Sequence, residues 1–147
     1  MIISIEDLRD RARQRLPGFV FDYLEGGAGD EITVKRNRAG FDEYAFRPRV
    51  FTDVASRDLS TPILGEHFAA PLVLAPTGLI GFIRPRAELA AARAAEKHGI
   101  PFALSSMATC SIEEIARGAK PSLWFQMYIW KDRGLTRELA ERAGAAG

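Results

Sequence analysis

Side chains able to bind a ligand follow three short apolar segments, at the points where those segments end. The segments occupy residues 71–75, 102–104 and 123–125. In parallel sheets and barrels, ligands bind at the carboxyl ends of the strands, so three such endings predict a site as well as a fold. The groups that follow the segments are Thr77 and Gly78, then Ser105 and Ser106, then Gln126 and Tyr128.

Each group has a chemical use and an ordinary structural explanation. Gly78 would let a flat ligand approach the backbone, although glycine is also common in turns. Ser105 offers a hydroxyl, which could equally cap a turn or helix. Gln126 carries donors and an acceptor on one planar amide, which suits the edge of a heteroaromatic ring. Tyr128 would share the strand face of Gln126, or simply pack in a core. Three consecutive endings of this kind favour a binding site.

Helical segments separate the apolar runs, which is typical of parallel strands joined by crossover helices. The pattern predicts strands at 72–75, 102–104 and 123–127, and helices at 87–98, 112–118 and 135–146. Ser111 and Glu114 have the spacing of a capping box. This alternation predicts a parallel α/β fold, with both a barrel and a doubly wound sheet left open. No turn carries the G-x-G-x-x-G pattern, which disfavours a Rossmann nucleotide domain.

Residues 1–60 are predicted to form a helical and irregular lead-in to this repeating part. Helices are expected at 4–16, 19–24 and 30–38, with Asp30 and Glu31 favouring the start of the third. Residues 44–60 have no clear period and are expected to be irregular. A small hairpin turning near Gly65 is expected over 61–68.

Length and composition limit the function classes. The chain has 147 residues and 47% hydrophobic residues, enough for a core, whereas a complete (β/α)8 barrel needs about 250 residues. We therefore expect a fragment of a longer barrel. Lys and Arg number 20 against 19 Asp and Glu, with no basic stripe, so no nucleic-acid partner is expected. The single Cys110 excludes an internal disulfide and gives no support to a metal site.

The sequence also predicts a compartment. The first residues lack the basic and apolar regions of a signal peptide. The most apolar window, 69–83, is interrupted by Pro76 and two glycines and is too short to span a bilayer. A cytoplasmic protein is expected, with peripheral attachment to the inner membrane left open.

Several motifs resemble one enzyme family. They are FDYLEGGA at 21–28, FRPR at 46–49, LAPTGL at 74–79, LSS at 104–106, SIEE at 111–114 and WFQMY at 124–128. Their order and spacing are similar to those of the FMN-dependent α-hydroxy-acid dehydrogenase/oxidase family. The resemblance implies a TIM barrel preceded by helices. On this basis 1–147 would be the N-terminal portion of one such domain, with the lead-in at 1–60, the hairpin and first three βα units at 61–147, and the remainder of the barrel missing.

The resemblance also implies a role for each site residue. Tyr23 would bind the substrate carboxylate, and Tyr128 would contact the substrate hydroxyl or keto oxygen. Ser105 and Gln126 would bind the pyrimidine edge of FMN. The remaining cofactor contacts would come from backbone along the flavin near N5, at Pro76, Thr77 and Gly78.

The family's catalytic base is a histidine with a neighbouring arginine, both expected beyond residue 147. His67 and His98, the two histidines of this chain, are predicted to lie on the face opposite the site and to take no part in catalysis. No catalytic residue is therefore assigned within residues 1–147.

By the same resemblance, the whole protein would oxidise an (S)-2-hydroxy acid, with L-lactate favoured, and pass electrons to a quinone-type acceptor or O2. A homo-oligomer is expected. Two alternatives remain open: another FMN-dependent TIM-barrel enzyme such as an isomerase, and an inactive truncated barrel whose unpaired strand edges promote self-association.

Overall fold

A computed structural model describes residues 2–147 of the chain, which divides into two compact units. The first unit ends at Ser56 and the second comprises Arg57–Gly147. None of the helices in the described part is both long and apolar enough to cross a membrane. The first unit contains helices α1 (Ile5–Arg15), α2 (Gly18–Glu25) and α3 (Ile32–Asp42), followed by irregular chain, as the sequence predicts.

Helices α1 and α2 pack around one aromatic side chain. Phe21 of α2 is buried, and the guanidinium groups of Arg9 and Arg13 lie 5.9 and 5.8 Å from its ring centroid. Both distances fall within the range of cation–π contact. Arg9 Nε also donates to Glu25 Oε1 at 2.6 Å. The first part of the FDYLEGGA motif thus lies in the short helix α2, which is held by charged side chains of α1.

The start of α3 differs from the prediction. The acidic pair 30–31 was expected to open the helix, but α3 begins at Ile32 and Glu31 has a left-handed backbone with φ 58°. The Glu31 carboxylate accepts a hydrogen bond from the Gly27 N–H at 3.1 Å, outside the helix. The side chain therefore holds the preceding turn instead of the helix N-terminus.

The second unit opens with the predicted hairpin. Strands β1 (Thr61–Ile63) and β2 (Glu66–Phe68) pair antiparallel, with Thr61 opposite Phe68. The connection consists of Leu64 and Gly65, both with positive φ, as a type I′ two-residue turn requires.

The predicted strand at 72–75 is not a regular strand. Within this segment only Leu74 forms a bridge, which is parallel and pairs it with Phe102. The Leu74 N–H donates to Pro101 O, and the Leu74 C=O accepts from the Ala103 N–H, both at 3.0 Å. The flanking prolines, Pro71 and Pro76, have no N–H to donate to a ladder. This segment therefore lies beside the sheet along one residue only.

The remaining elements alternate as predicted. After a 3₁₀ turn (Ile80–Phe82) come α4 (Ala87–His98), β3 (Phe102–Ser105), α5 (Ile112–Gly118), β4 (Leu123–Gln126) and α6 (Arg133–Ala146). Strands β3 and β4 pair parallel in the register Phe102–Leu123 to Ser105–Gln126. The core between these layers is formed by Leu89, Ala92, Ala95, Phe102, Leu104, Ile112, Ile115 and Ala119.

Local signals set the ends of these helices. Gly99, with φ 62°, ends α4, and the Ile100 N–H donates to Ala95 O at 3.1 Å, a glycine-based C-cap. Ser111 and Glu114 form the predicted capping box at the start of α5. Helix α6 begins two residues earlier than predicted because Asp132 Oδ1 accepts from the Gly134 and Leu135 N–H groups.

A two-point ion pair joins α5 to α6. Arg142 Nε and Nη2 donate to the two carboxylate oxygens of Glu113 at 2.8 and 3.0 Å. The hydrogen bonds from Arg142 hold the pKa of Glu113 at about 2, below its ordinary value of 4.5. A carboxyl with a lowered pKa stabilises the folded state above its unfolded-state pKa and loses that contribution as the pH falls.

We expect Glu113→Gln to destabilise the whole protein slightly at pH 7, because both side chains are partly exposed to solvent. The difference from wild type should shrink as the pH falls through the interval between the ordinary pKa of 4.5, where the unfolded chain takes up the proton, and about 2, where the folded carboxyl is protonated and loses the ion pair. Denaturant titrations at several pH values would measure it. Glu141→Gln removes the same charge on α6 and serves as control; a pH-independent effect of Glu113→Gln would contradict the expectation.

Candidate functional site

The carboxyl ends of β3 and β4 bring two predicted site residues together. Ser105 and Gln126 are register partners, and Ser105 Oγ donates to Gln126 Oε1 at 3.3 Å. Ser105 Oγ also accepts from the Met107 N–H at 3.1 Å. Because Oε1 of Gln126 faces the serine, its amide nitrogen remains available as a donor to a ligand. The pair therefore presents an oriented amide at the strand ends.

The neighbouring Ser106 has a different environment. Its N–H donates to Gln126 O at 2.9 Å and extends the β3–β4 ladder by one bond. Its hydroxyl oxygen is buried, and no described residue forms a hydrogen bond with it. A buried hydroxyl without a partner costs about 1–3 kcal/mol, so this group is suited to meet a polar atom of a ligand or of another segment.

The turn after residue 75 lies against the loop that connects β3 to α5. The Leu79 N–H donates to Met107 O at 2.9 Å, which joins this turn to the segment after β3. A Cβ added at Gly78 would lie 3.0 Å from Met107 Cβ and 3.9 Å from Ser105 Oγ. Glycine is thus favoured here because an added Cβ would press against Met107 in the β3–α5 loop, a reason that the sequence alone did not indicate. Pro76 and Thr77 are exposed.

The two tyrosines predicted to bind substrate, Tyr23 and Tyr128, are both exposed. Tyr128 lies two residues after the end of β4 and is 57% exposed. Because β4 ends at Gln126, the alternation of a strand does not fix the direction of Tyr128. Tyr23 belongs to α2 in the first unit and is 72% exposed.

Neither histidine is near these strand ends. His98 ends α4, ahead of β3, and His67 lies in β2. The Ala69 N–H, which follows β2, donates to Gly99 O at 2.9 Å, so both histidines lie near the amino end of β3. Residues 2–147 contain no group of His, Cys, Asp and Glu side chains that could hold a metal ion.

Sequence reasoning missed one buried charge close to the site. Glu88 of α4 is 1% exposed and accepts hydrogen bonds from Thr109 in the β3–α5 loop. The sequence contained a signal, because Glu88 shares the helix face of the buried Ala92 and Ala95. A carboxylate on the apolar face of an alanine-rich helix needs polar partners elsewhere in the fold.

An apolar cleft of about 250 Å³ lies apart from the site residues, between α5, β4 and α6. Its walls include Ile115, Phe125 and Ala143 and none of the predicted site residues. The strand ends, with their polar groups, remain the candidate site.

A profile of FMN-dependent dehydrogenases matches residues 12–147. The chain belongs to this family. The predicted family, the FMN cofactor and the partial TIM-barrel fold are thereby confirmed.

Individual relatives within this family include L-lactate dehydrogenases. The chain is 47% identical to L-lactate dehydrogenase of Vibrio parahaemolyticus and 46% identical to that of Allorhizobium ampelinum, over 100% of its own length in both cases. It spans 39% of the length of each of these relatives.

Among solved structures, a soluble mutant of the membrane-associated (S)-mandelate dehydrogenase from Pseudomonas putida superposes with a TM-score of 0.95 at 44% identity. The superposition covers 100% of this chain and 42% of that one. A monotopic membrane (S)-mandelate dehydrogenase superposes with a TM-score of 0.93 at 42% identity, covering 99% of this chain and 39% of the other.

Proposed function

We propose that the whole protein containing this chain oxidises an (S)-2-hydroxy acid, with L-lactate favoured, to the corresponding 2-oxo acid. The observation that carries the proposal is the Ser105–Gln126 pair at the ends of two parallel strands, beside the 76–78 turn, in a member of the FMN-dependent dehydrogenase family. The similarity to L-lactate dehydrogenases over the full length of the chain supports the substrate.

The site residues fit the polar edge of a flavin. Gln126 has an amide nitrogen free to donate to a ring acceptor, and Ser105 fixes the amide by donating to its oxygen. The Ser106 hydroxyl lacks a partner among the described residues and can supply a further contact. Pro76, Thr77 and Gly78 are proposed to lie along the ring through their backbone. FMN, when bound here, supplies the two-electron acceptor for the oxidation.

Substrate contacts are proposed for the two tyrosines. Tyr23 would hydrogen-bond the substrate carboxylate, and Tyr128 the hydroxyl or keto oxygen. Both side chains are mainly exposed in their own units, so their phenol groups are accessible to a ligand. Such contacts align the reacting bond and turn binding energy into orientation.

A general base must take the hydroxyl proton, and neither histidine of this chain lies at the strand ends. We propose that the base is a histidine beyond residue 147 and that residues 1–147 alone do not turn over substrate.

The partners are also proposals. Electrons would pass to a quinone-type acceptor or to O2, and the whole protein would be a homo-oligomer. Peripheral contact with the inner membrane is supported by the similarity to a monotopic membrane (S)-mandelate dehydrogenase.

The test is the visible spectrum of the whole protein under anaerobic conditions, before and after addition of L-lactate. Loss of the oxidised-flavin band would support the proposal. A flavin band that L-lactate and other 2-hydroxy acids leave unchanged would reject it and favour a different flavin chemistry, such as isomerisation.

We expect Tyr23→Phe to weaken substrate binding and to leave FMN bound. Loss of a hydrogen bond to a charged group costs about 1.5–3 kcal/mol, so KM should rise about tenfold or more. Steady-state kinetics and the flavin-to-protein absorbance ratio would measure the two effects. Tyr44→Phe, at another exposed tyrosine of the same unit, is the matched control. Unchanged kinetics in Tyr23→Phe would remove this residue from the site.

A further inference from the structure

Glu88 is the most deeply buried charged side chain among the described residues, and it has no role in the proposed binding of FMN or substrate. Only 1% of it is exposed, at the first turn of α4. Its Oε1 accepts from both the backbone N–H and the hydroxyl of Thr109, each at 2.7 Å. Its Oε2 accepts from Cys110 Sγ at 3.6 Å. All three donors belong to the loop between β3 and α5.

The surroundings of the Glu88 carboxyl group favour its ionised form. Burial, the largest single influence, raises its pKa, but the hydrogen bonds from the Thr109 backbone and hydroxyl outweigh it, and the net pKa lies below the ordinary value of 4.5. Glu88 is therefore an anion at neutral pH with donors aimed at both oxygens. Hydrogen bonds to a charged acceptor are shorter and stronger than neutral ones.

The loop held by Glu88 connects directly to the candidate site. Two residues before Thr109, the Met107 N–H donates to Ser105 Oγ at 3.1 Å and Met107 O accepts from the Leu79 N–H at 2.9 Å. The serine oxygen that receives this N–H directs its own hydrogen to Gln126 Oε1. The orientation of the Gln126 amide thus depends on where the loop places Met107.

We propose that Glu88 is a positioning residue: through Thr109 it fixes the loop that orients the Ser105 hydroxyl and the Gln126 amide toward FMN. The inference rests on the proposed flavin site at these strand ends. Glu88 itself lies on the helix side of the loop and touches no proposed ligand atom. Its effect passes through backbone and hydroxyl hydrogen bonds that the structure shows one by one.

The test measures FMN affinity apart from turnover. Apoprotein prepared from the whole protein is titrated with FMN, and the dissociation constant and the shape of the bound-flavin absorption bands are recorded. Glu88→Gln should raise the dissociation constant about tenfold, which corresponds to about 1.4 kcal/mol. Thr109→Val removes the hydroxyl donor but keeps the N–H and should have a smaller effect in the same direction. Thr109→Ser keeps both donors and should bind FMN as wild type does.

A core variant separates positioning from general destabilisation. Ile115→Val removes one methyl group from a fully buried side chain in α5, which lowers stability without touching the loop hydrogen bonds. It should leave FMN affinity within about twofold of wild type. Equal affinities for Thr109→Val and Thr109→Ser, or a loss in Ile115→Val as large as in Glu88→Gln, would overturn the proposal, even if Glu88→Gln fails to fold.

The same titration distinguishes failure of the proposed function. Wild-type apoprotein that takes up no FMN would reject the flavin site, and the positioning role with it. Wild-type binding that Glu88→Gln and Thr109→Val leave unchanged would reject only the positioning role.

Discussion

Gly81→Ala is expected to be strongly destabilising and to weaken FMN binding in the whole protein. A Cβ at this position would lie 2.7 Å from Thr109 Cβ and 3.0 Å from Thr109 Cγ2, with Oγ1 closer still. The threonine cannot turn away without losing the hydrogen bond from its hydroxyl to Glu88. Overpacking costs about 1–3 kcal/mol. A broken hydrogen bond to a charged group adds about 1.5–3 kcal/mol.

Denaturant unfolding and FMN titration would measure the two effects of Gly81→Ala. Gly40→Ala is the matched control, because Gly40 lies within α3 and an added Cβ there meets nothing within 4 Å. Alanine at such a helical position is expected to stabilise by about 0.5–1 kcal/mol.

The steric explanation has its own check. In a Thr109→Gly background, which removes the opposing side chain, Gly81→Ala should cost far less than in wild type. A cost that does not depend on residue 109 would show that the contact between the two positions is not the cause.

Local chemistry made much of the fold predictable. The bounds of α4, the capping box at Ser111 and the hairpin turn at Gly65 all depend on residues within a few positions of one another. Helix caps and two-residue turns are recognised from such short spacings. The parallel pairing of β3 and β4 followed from the helix that connects them.

Two predicted elements differ from the observed ones because composition alone did not determine their hydrogen bonds. The apolar run at 72–75 has the composition of a strand, but flanking prolines limit its ladder to the single bridge at Leu74. Asp30 and Glu31 were predicted to open α3, but the helix begins at Ile32 and the Glu31 carboxylate accepts a hydrogen bond from the Gly27 N–H instead. Composition determines which conformation a segment favours, whereas neighbouring segments determine which hydrogen bonds it forms.

The candidate site shows the same division. Ser105 and Gln126 were predicted as site residues from their places at strand ends, and the register explains why they meet. The contact of Glu88 with Thr109 joins residues 21 positions apart and required the packing of α4 against the β3–α5 loop. Gly78 was singled out for ligand approach, yet its close contact is with Met107.

Gln126→Leu should produce the largest loss of FMN affinity among substitutions at the strand ends. Leucine has a similar volume but no amide, so the flavin would lose a donor and the Ser105 hydroxyl would lose its acceptor. A buried polar group left without a partner costs about 1–3 kcal/mol, which corresponds to a dissociation constant raised about tenfold to hundredfold. Titration of the apoprotein with FMN would measure this change.

Two further variants make the expectation specific to the amide donor. Gln126→Glu keeps an oxygen for the Ser105 hydroxyl but removes the N–H donors, so it should also bind FMN weakly. Ser122→Ala, at the amino end of the same strand, keeps the carbonyl that accepts from the Phe102 N–H at 3.0 Å and should bind FMN normally. If Gln126→Glu bound FMN as wild type does, the amide nitrogen would not be the group that recognises the ring. If Gln126→Leu also did so, the flavin edge would have to lie elsewhere than at the end of β4.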